Sequence, residues 1–188
     1  ICDEIQTGFA RTGRVFATEH AGVEPDLMTV AKAMAGGFPI SGVIGKADVM
    51  DAAAPGGLGG TYGGSPLGCV AGLKVLDIIR EDRLCERADE IGALFTKRLT
   101  AMQGGGIKEI GDIRALGAMI AIEIVKDGKA DQPDPVRTAE IVKAAAEAGL
   151  ILLSCGIRGN VIRFLPALTA SDEILCEGLD ILENVMRS

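Results

Sequence analysis

Tryptophan is absent from the 188 residues, and the aromatic complement is five phenylalanines and one tyrosine. Platforms for stacking nucleobases are therefore scarce. Basic residues are outnumbered by acidic ones, 19 against 26, and the net charge of −7 argues against sequence-independent nucleic-acid binding. No apolar run reaches the ~20 residues of a membrane-spanning helix. Cysteine pairing signals are missing too: Cys2, Cys69, Cys85, Cys155 and Cys176 are odd in number and contain no CxxC. They read as reduced thiols of a cytoplasmic protein rather than as a disulfide or zinc framework. His20 is the single histidine, with no ligand-like spacing around it and no GxSxG elbow elsewhere, so neither a metal site nor a Ser-His-Asp triad is expected. An initial methionine and a signal or transit peptide are also lacking. The apolar, strand-like start Ile1–Ile5 suggests a piece whose N-terminal part is missing.

What is present fits a folded chain. Apolar residues make up 48% and charged residues 24%, which rules out intrinsic disorder. A chain of this length buries roughly 70% of its unfolded surface and needs no covalent staple. Glycine is abundant, 26 of 188, without a collagen-like period. Such glycines belong where backbone approaches backbone or a ligand closely.

Strands are predicted at the start of the chain, over Leu27–Ala31 and over Ile40–Gly45. A glycine-rich loop follows from Ala54 to Pro66, and Pro66 suits the first turn of a helix with apolar residues at 67, 70, 73, 76 and 79. Residues 86–102 predict an amphipathic helix with Ile91, Leu94, Phe95, Leu99 and Met102 on one face, stopped by Gly104–Gly106. Ile113–Val125, broken at Gly117, reads as one long or two short strands, and Val136–Ala148 as a helix ended by Gly149. Leu150–Leu153 and Val161–Phe164 read as short strands. Thr169–Asp172 resembles a capping box for a last helix that turns Ile174, Leu175, Leu182 and Val185 inward. A boundary is expected near residue 82, between an α/β part (1–82) and a small α+β domain (83–188).

Four residues stand out chemically. Asp3 is a carboxylate among apolar neighbours, either a turn acid or a partnered functional group. Lys32 follows an apolar run and precedes Ala33–Gly37, a setting that would lower its pKa as an imine-forming lysine needs; its alternative is a snorkelling surface lysine. Thr61, inside Gly59–Pro66, could hold a phosphate with the glycine N–H groups, or lie in a plain surface loop. Arg163, inside Val161–Leu165, wants a carboxylate or phosphate, unless it is an edge arginine facing water.

The order of these signals is specific. Asp3-Glu4-Ile5-Gln6-Thr7-Gly8-Phe9-Ala10-Arg11-Thr12-Gly13 resembles the DE[VI]Q-x-GF-x-RTG signature of the class III aminotransferases. Asp26–Pro39 resembles their lysine segment, and Gly59–Pro66 their phosphate-contacting loop. Within the family, Ala54–Thr61, Gly149–Gly156 and Asn160–Pro166 are most similar to the 4-aminobutyrate aminotransferase subgroup.

The resemblance implies an α/β fold: the C-terminal part of the large domain of a fold-type I transferase dependent on pyridoxal 5'-phosphate (PLP), plus the small C-terminal domain. It implies a transamination between 4-aminobutyrate and 2-oxoglutarate, giving succinate semialdehyde and glutamate, by a cytoplasmic homodimer or higher homo-oligomer whose active site lies at the subunit interface. Lys32 would bind the cofactor covalently and shuttle the proton. Asp3 would pair with the pyridine nitrogen, Gln6 would bond near the phenolic oxygen, and Ile5 would pack on the ring. Thr61 would touch the phosphate of the neighbouring subunit, and Arg163 would clamp a substrate carboxylate. The alternatives are another class III enzyme (an acetylornithine, ornithine, 5-aminovalerate or putrescine aminotransferase, or a racemase on the same scaffold) and a non-catalytic truncated fragment. The family's main phosphate loop and ring-stacking aromatic lie in the part that this chain does not include.

Overall fold

The strand-like start contributes only Cys2–Asp3 (β1) to a three-stranded sheet, in which Leu27–Val30 (β2) is central and Gly42–Gly45 (β3) forms the far edge. β1 runs parallel to β2, with Cys2 opposite Met28 and Asp3 opposite Thr29, whereas β3 is antiparallel to β2. The computed structural model describes residues 1–188 and divides them into two units, Ile1–Ala88 and Asp89–Ser188.

In the first unit the sheet is accompanied by two single-turn helices, Thr18–Ala21 (α1) and Ala47–Met50 (α2), and by a 3₁₀ turn at Lys32–Ala35. A long helix, Pro66–Glu81 (α3), starts on Pro66 and packs against that turn. Its buried residues are Gly68 and Ile79. The apolar spacing marks the helix correctly, but most of the stripe does not face the core. Leu67, Val70, Leu73 and Leu76 are exposed, from 45% to 69%, and only Ile79 of the five is buried. The face used for packing is the adjacent one, carried by Gly68, Ala71, Gly72 and Val75.

The helix Leu84–Gly104 (α4) begins in the first unit and lies mostly in the second. Ile91, Phe95, Leu99 and Met102 are buried along one side, as their spacing predicts. Ile110–Leu116 (β4) and Met119–Ile124 (β5) form a hairpin around Gly117, the two-strand alternative of the sequence reading. Asp134 accepts the Arg137 N–H at 3.0 Å and caps Pro135–Glu147 (α5), whose first residue is proline. Leu153–Cys155 (β6) and Val161–Phe164 (β7) complete an antiparallel sheet of order β4-β5-β7-β6.

β6 starts later than the apolar run Leu150–Leu153 predicts. The Leu150 N–H bonds back to the Ala145 carbonyl at 2.8 Å, so that residue closes the end of α5 rather than opening a strand. Asp172–Arg187 (α6) is capped by Ser171, and Ile174 points outward at 62% exposure, while Leu175, Leu179, Leu182 and Val185 are buried. Starting the helix at Asp172 sets the phase that leaves Ile174 outside.

One face of the second sheet is core. Ile120, Ile122, Ile124 and Ile162 are 0–1% exposed, and Phe164 meets Phe95 with ring centroids 5.5 Å apart. A half-buried ion pair, Arg137 Nε to Glu109 Oε2 at 2.9 Å, and an Arg137 bond to the Met186 carbonyl tie α5 to the start of β4 and the end of α6. Helix and hairpin approach closely at Gly92, where an added Cβ would lie 2.3 Å from the Gly117 carbonyl oxygen. The neighbouring atom is backbone, so the clash has no cheap relief. Gly92→Ala is expected to destabilise the second unit by about 1–3 kcal/mol, read as a lower urea midpoint at unchanged m-value. An unchanged midpoint would show that the hairpin tip yields freely.

Candidate functional site

Parallel pairing of β1 and β2 brings their carboxyl ends to the same edge of the sheet, the edge at which open α/β sheets bind ligands. Asp3 is the last residue of β1. Lys32 comes two residues after the end of β2. Ile5 and Gln6, both half-buried, follow Asp3 directly. The edge thus carries a carboxylate, an amine, an amide and an apolar side chain, drawn from segments 29 residues apart.

Asp3 is exposed, and its Oδ1 accepts the Ile5 N–H at 2.9 Å, which fixes the carboxylate against the turn that follows. Lys32 adopts a left-handed conformation, φ +48°, directly after extended Ala31. Such a conformation costs a non-glycine residue of order 1 kcal/mol and persists only where surrounding structure imposes it. Here the extended strand end on one side and the 3₁₀ turn, closed by Gly36, on the other impose it. The apolar enclosure expected around the lysine is not found: Lys32 is exposed in this chain. A short apolar run before a lysine marks a strand end, and a strand end at a sheet edge is open.

Thr61 stands exposed in the glycine-rich loop, which forms turns without helix or strand, and neighbouring Tyr62 is 89% exposed. Arg163 belongs to the second unit, in the middle of β7, in register with Ala121 on one side and Leu153 on the other. β7 is an inner strand, so the edge-strand alternative for Arg163 does not hold. Arg163 and the following residues Phe164–Ala167 line an apolar pocket of about 360 Å³, to which Phe95, Leu152 and Leu179 also contribute. The structure therefore gathers Asp3, Ile5, Gln6 and Lys32 at one sheet edge. Thr61 lies on a separate loop, and Arg163 belongs to the other unit.

Glu4 is the residue whose importance the sequence reading missed. It is 2% exposed. Its carboxylate accepts the Thr18 N–H at 2.7 Å, the Ala17 N–H at 3.1 Å and the Thr7 hydroxyl. It thereby caps α1 and ties the loop that follows β1 back onto the strand. The Glu4 N–H bonds the Thr29 carbonyl at 3.0 Å, so one residue fixes both the loop and the β1–β2 pairing. Burial works to raise its pKa, but the bonds from Thr7, Thr18 and Ala17 outweigh that and hold it below the ordinary glutamate value. The available signal was an acid in an apolar strand with a hydroxyl three residues on. The loop is tight as well: a Cβ on Gly8 would lie 2.9 Å from the Glu4 carbonyl oxygen.

Residues 1–186 match the family described as aminotransferase class III. The chain belongs to that family. It is 56% identical over all 188 residues to a probable 4-aminobutyrate aminotransferase of Bacillus subtilis, 43% of which it covers. It is 53% identical over 97% of its length to a 5-aminovalerate aminotransferase of Pseudomonas aeruginosa, covering 42% of that protein. Among solved structures, ornithine aminotransferase from Toxoplasma gondii, crystallised with PLP partially occupying its active site, superposes with a TM-score of 0.85. That match has 34% identity and covers 98% of this chain and 42% of that one. The chain thus spans under half the length of the curated relatives it matches. Class III aminotransferases are PLP-dependent, and no helix of this chain is long and apolar enough to cross a membrane.

The donor set at the sheet edge fits PLP by its chemistry: an amine for its carbonyl, a carboxylate for its ring nitrogen, an amide for its phenolic oxygen and an apolar side chain for its ring. Glu4 makes the edge testable through stability. Glu4→Ala leaves two backbone N–H groups without their acceptor and is expected to cost about 3 kcal/mol, read by urea unfolding. Because the folded pKa lies below the unfolded 4.5, the carboxylate's contribution is full above about pH 4.5 and lost as pH falls through the folded value. Glu4→Gln should flatten that acid limb of the stability curve. An unchanged limb would reject the assignment.

Proposed function

We propose that the protein to which this chain belongs transfers the amino group of an ω-amino acid to a 2-oxo acid, with 4-aminobutyrate and 2-oxoglutarate as the pair. The observation that carries this reading is the placement of Asp3 and Lys32 at one carboxyl edge, together with more than 50% identity to 4-aminobutyrate aminotransferases. PLP, when bound, supplies an electron sink for cleavage of the C–H bond at the amine-bearing carbon.

The chain's own residues do the rest. Lys32 Nζ would hold the cofactor at its carbonyl carbon and, once the substrate amine has displaced it, would be the free amine that takes the proton from the amine-bearing carbon and returns it. Asp3, steadied by the Ile5 N–H, keeps a proton on the ring nitrogen. Ile5 packs on the ring and Gln6 bonds near the phenolic oxygen. Arg163 binds a carboxylate of the substrate. Thr61 contacts phosphate in the neighbouring subunit of a homodimer, and the exposed stripe Leu67–Leu76 is part of the surface that assembly with the rest of the protein covers. The first unit is the incomplete cofactor-binding domain and the second the small domain. The setting is the cytoplasm, consistent with five free thiols.

Borohydride reduction of the PLP-loaded full-length protein, followed by peptide mass mapping, should place the adduct on Lys32, and Lys32→Ala should lower kcat about 10³-fold or more. An adduct on another lysine would reject the assignment. Arg163→Gln should raise KM for 2-oxoglutarate about 10- to 100-fold, the loss of a charged hydrogen-bond pair.

A second reading, 5-aminovalerate as donor, is supported by the relative that carries that name at 53% identity. The two donors differ by one methylene, a difference worth about 10- to 200-fold in a fitted pocket. Side-by-side kcat/KM values separate them.

A further inference from the structure

The open face of the second sheet carries a group of charges that the reading above does not use. Strand pairing sets two rows across that face: Arg114, Ala121, Arg163 and Leu153 in one, and Asp112, Glu123, Val161 and Cys155 in the next. Two arginines therefore stand two strands apart, roughly 10 Å between Cα atoms, with only the methyl group of Ala121 between them. Glu123 is the diagonal neighbour of both, within reach of either long side chain. It is engaged on the β4 side: Arg114 Nη1 donates to Glu123 Oε1 at 2.6 Å and also to the Asp112 carboxylate.

The geometry points to Arg114 as a positioning residue for substrate anions. By holding Glu123 toward β4, it keeps this carboxylate from competing with an incoming one for the Arg163 guanidinium. Asp112 steadies the Arg114 side chain in that orientation. Without Arg114, Glu123 is a carboxylate beside the anion site, repelling a dicarboxylate and competing for its partner. The inference rests on Arg163 being the carboxylate clamp.

The test uses the full-length PLP-loaded protein and glutarate, a dicarboxylate that cannot be transaminated, with Kd measured by calorimetry. Arg114→Gln should weaken glutarate binding about fivefold, the size of one cross-strand charge interaction. The double variant Arg114→Gln/Glu123→Gln should recover affinity to within about twofold of the parent, because the competing charge is gone. A double variant as weak as the single one would show that Arg114 only supports the strand, and would overturn the inference. So would an Arg114→Gln variant that binds as the parent does while Arg163→Gln is weakened. If Arg163→Gln itself binds glutarate unimpaired, the clamp reading falls and this inference with it.

Discussion

The buried carboxylate of Glu4 is the constraint on which the candidate site depends. β1 has only two residues, too few to hold its place in a sheet by ladder bonds alone. What keeps it parallel to β2 is the Glu4 N–H on the Thr29 carbonyl and, on the side chain, donors from Thr7, Ala17 and Thr18. A charged acceptor buried at 2% exposure is costly unless its bonds are made, and that penalty makes the arrangement specific: the loop either closes on Glu4 or leaves a charge stranded. Asp3 precedes Glu4 and Ile5 follows it, so the placement of both is inherited from this closure.

Lys32 is positioned by a different means. No side-chain network fixes it. Extended Ala31 hands the chain to a left-handed residue, and the 3₁₀ turn takes it up. The 3₁₀ turn is in turn backed by α3, whose Gly68, Gly72 and Val75 face allows the helix to approach. The carboxylate and the amine thus reach the same edge by separate devices. A disturbance of the Glu4 loop acts on the first and leaves the second supported by its own helix.

Much of this was legible in the sequence, and the failures share a cause. Periodicity located α3, α4, α5 and α6, and the break at Gly117 located the hairpin. Asp134-Pro135 marked a helix start. What period alone could not decide was which apolar face turns inward. α3 has two candidates, the large residues Leu67, Val70, Leu73 and Leu76 and the smaller ones at 68, 71, 72 and 75, and close packing on the 3₁₀ turn selects the smaller. Ile174 was misplaced by the same ambiguity at a helix start. The exposure of Lys32 could not be read either, because a short apolar run before a lysine marks a strand end without saying whether that end is covered. Glu4 was hidden by its neighbours: in a run of motif residues, the buried acid that builds the loop and the exposed acid beside it look alike.

The second sheet shows how a period of two separates packing from electrostatics. Ile120, Ile122, Ile124 and Ile162 commit one face to the core, which leaves Arg114, Glu123, Asp112 and Arg163 on the other with little choice of company. Arg114 pairs with two carboxylates at once, and pairs about half-exposed to solvent contribute little to stability. Stability is therefore a weak reason for that cluster. Its stronger physical effect is on direction: the hydrogen bond to Glu123 pushes the Arg114 pKa up from its ordinary value, and an arginine stays charged at any working pH, so its hold on Glu123 persists. A fixed charge near an inner-strand arginine shapes the field that an anion meets there, whether or not it adds to the fold's free energy.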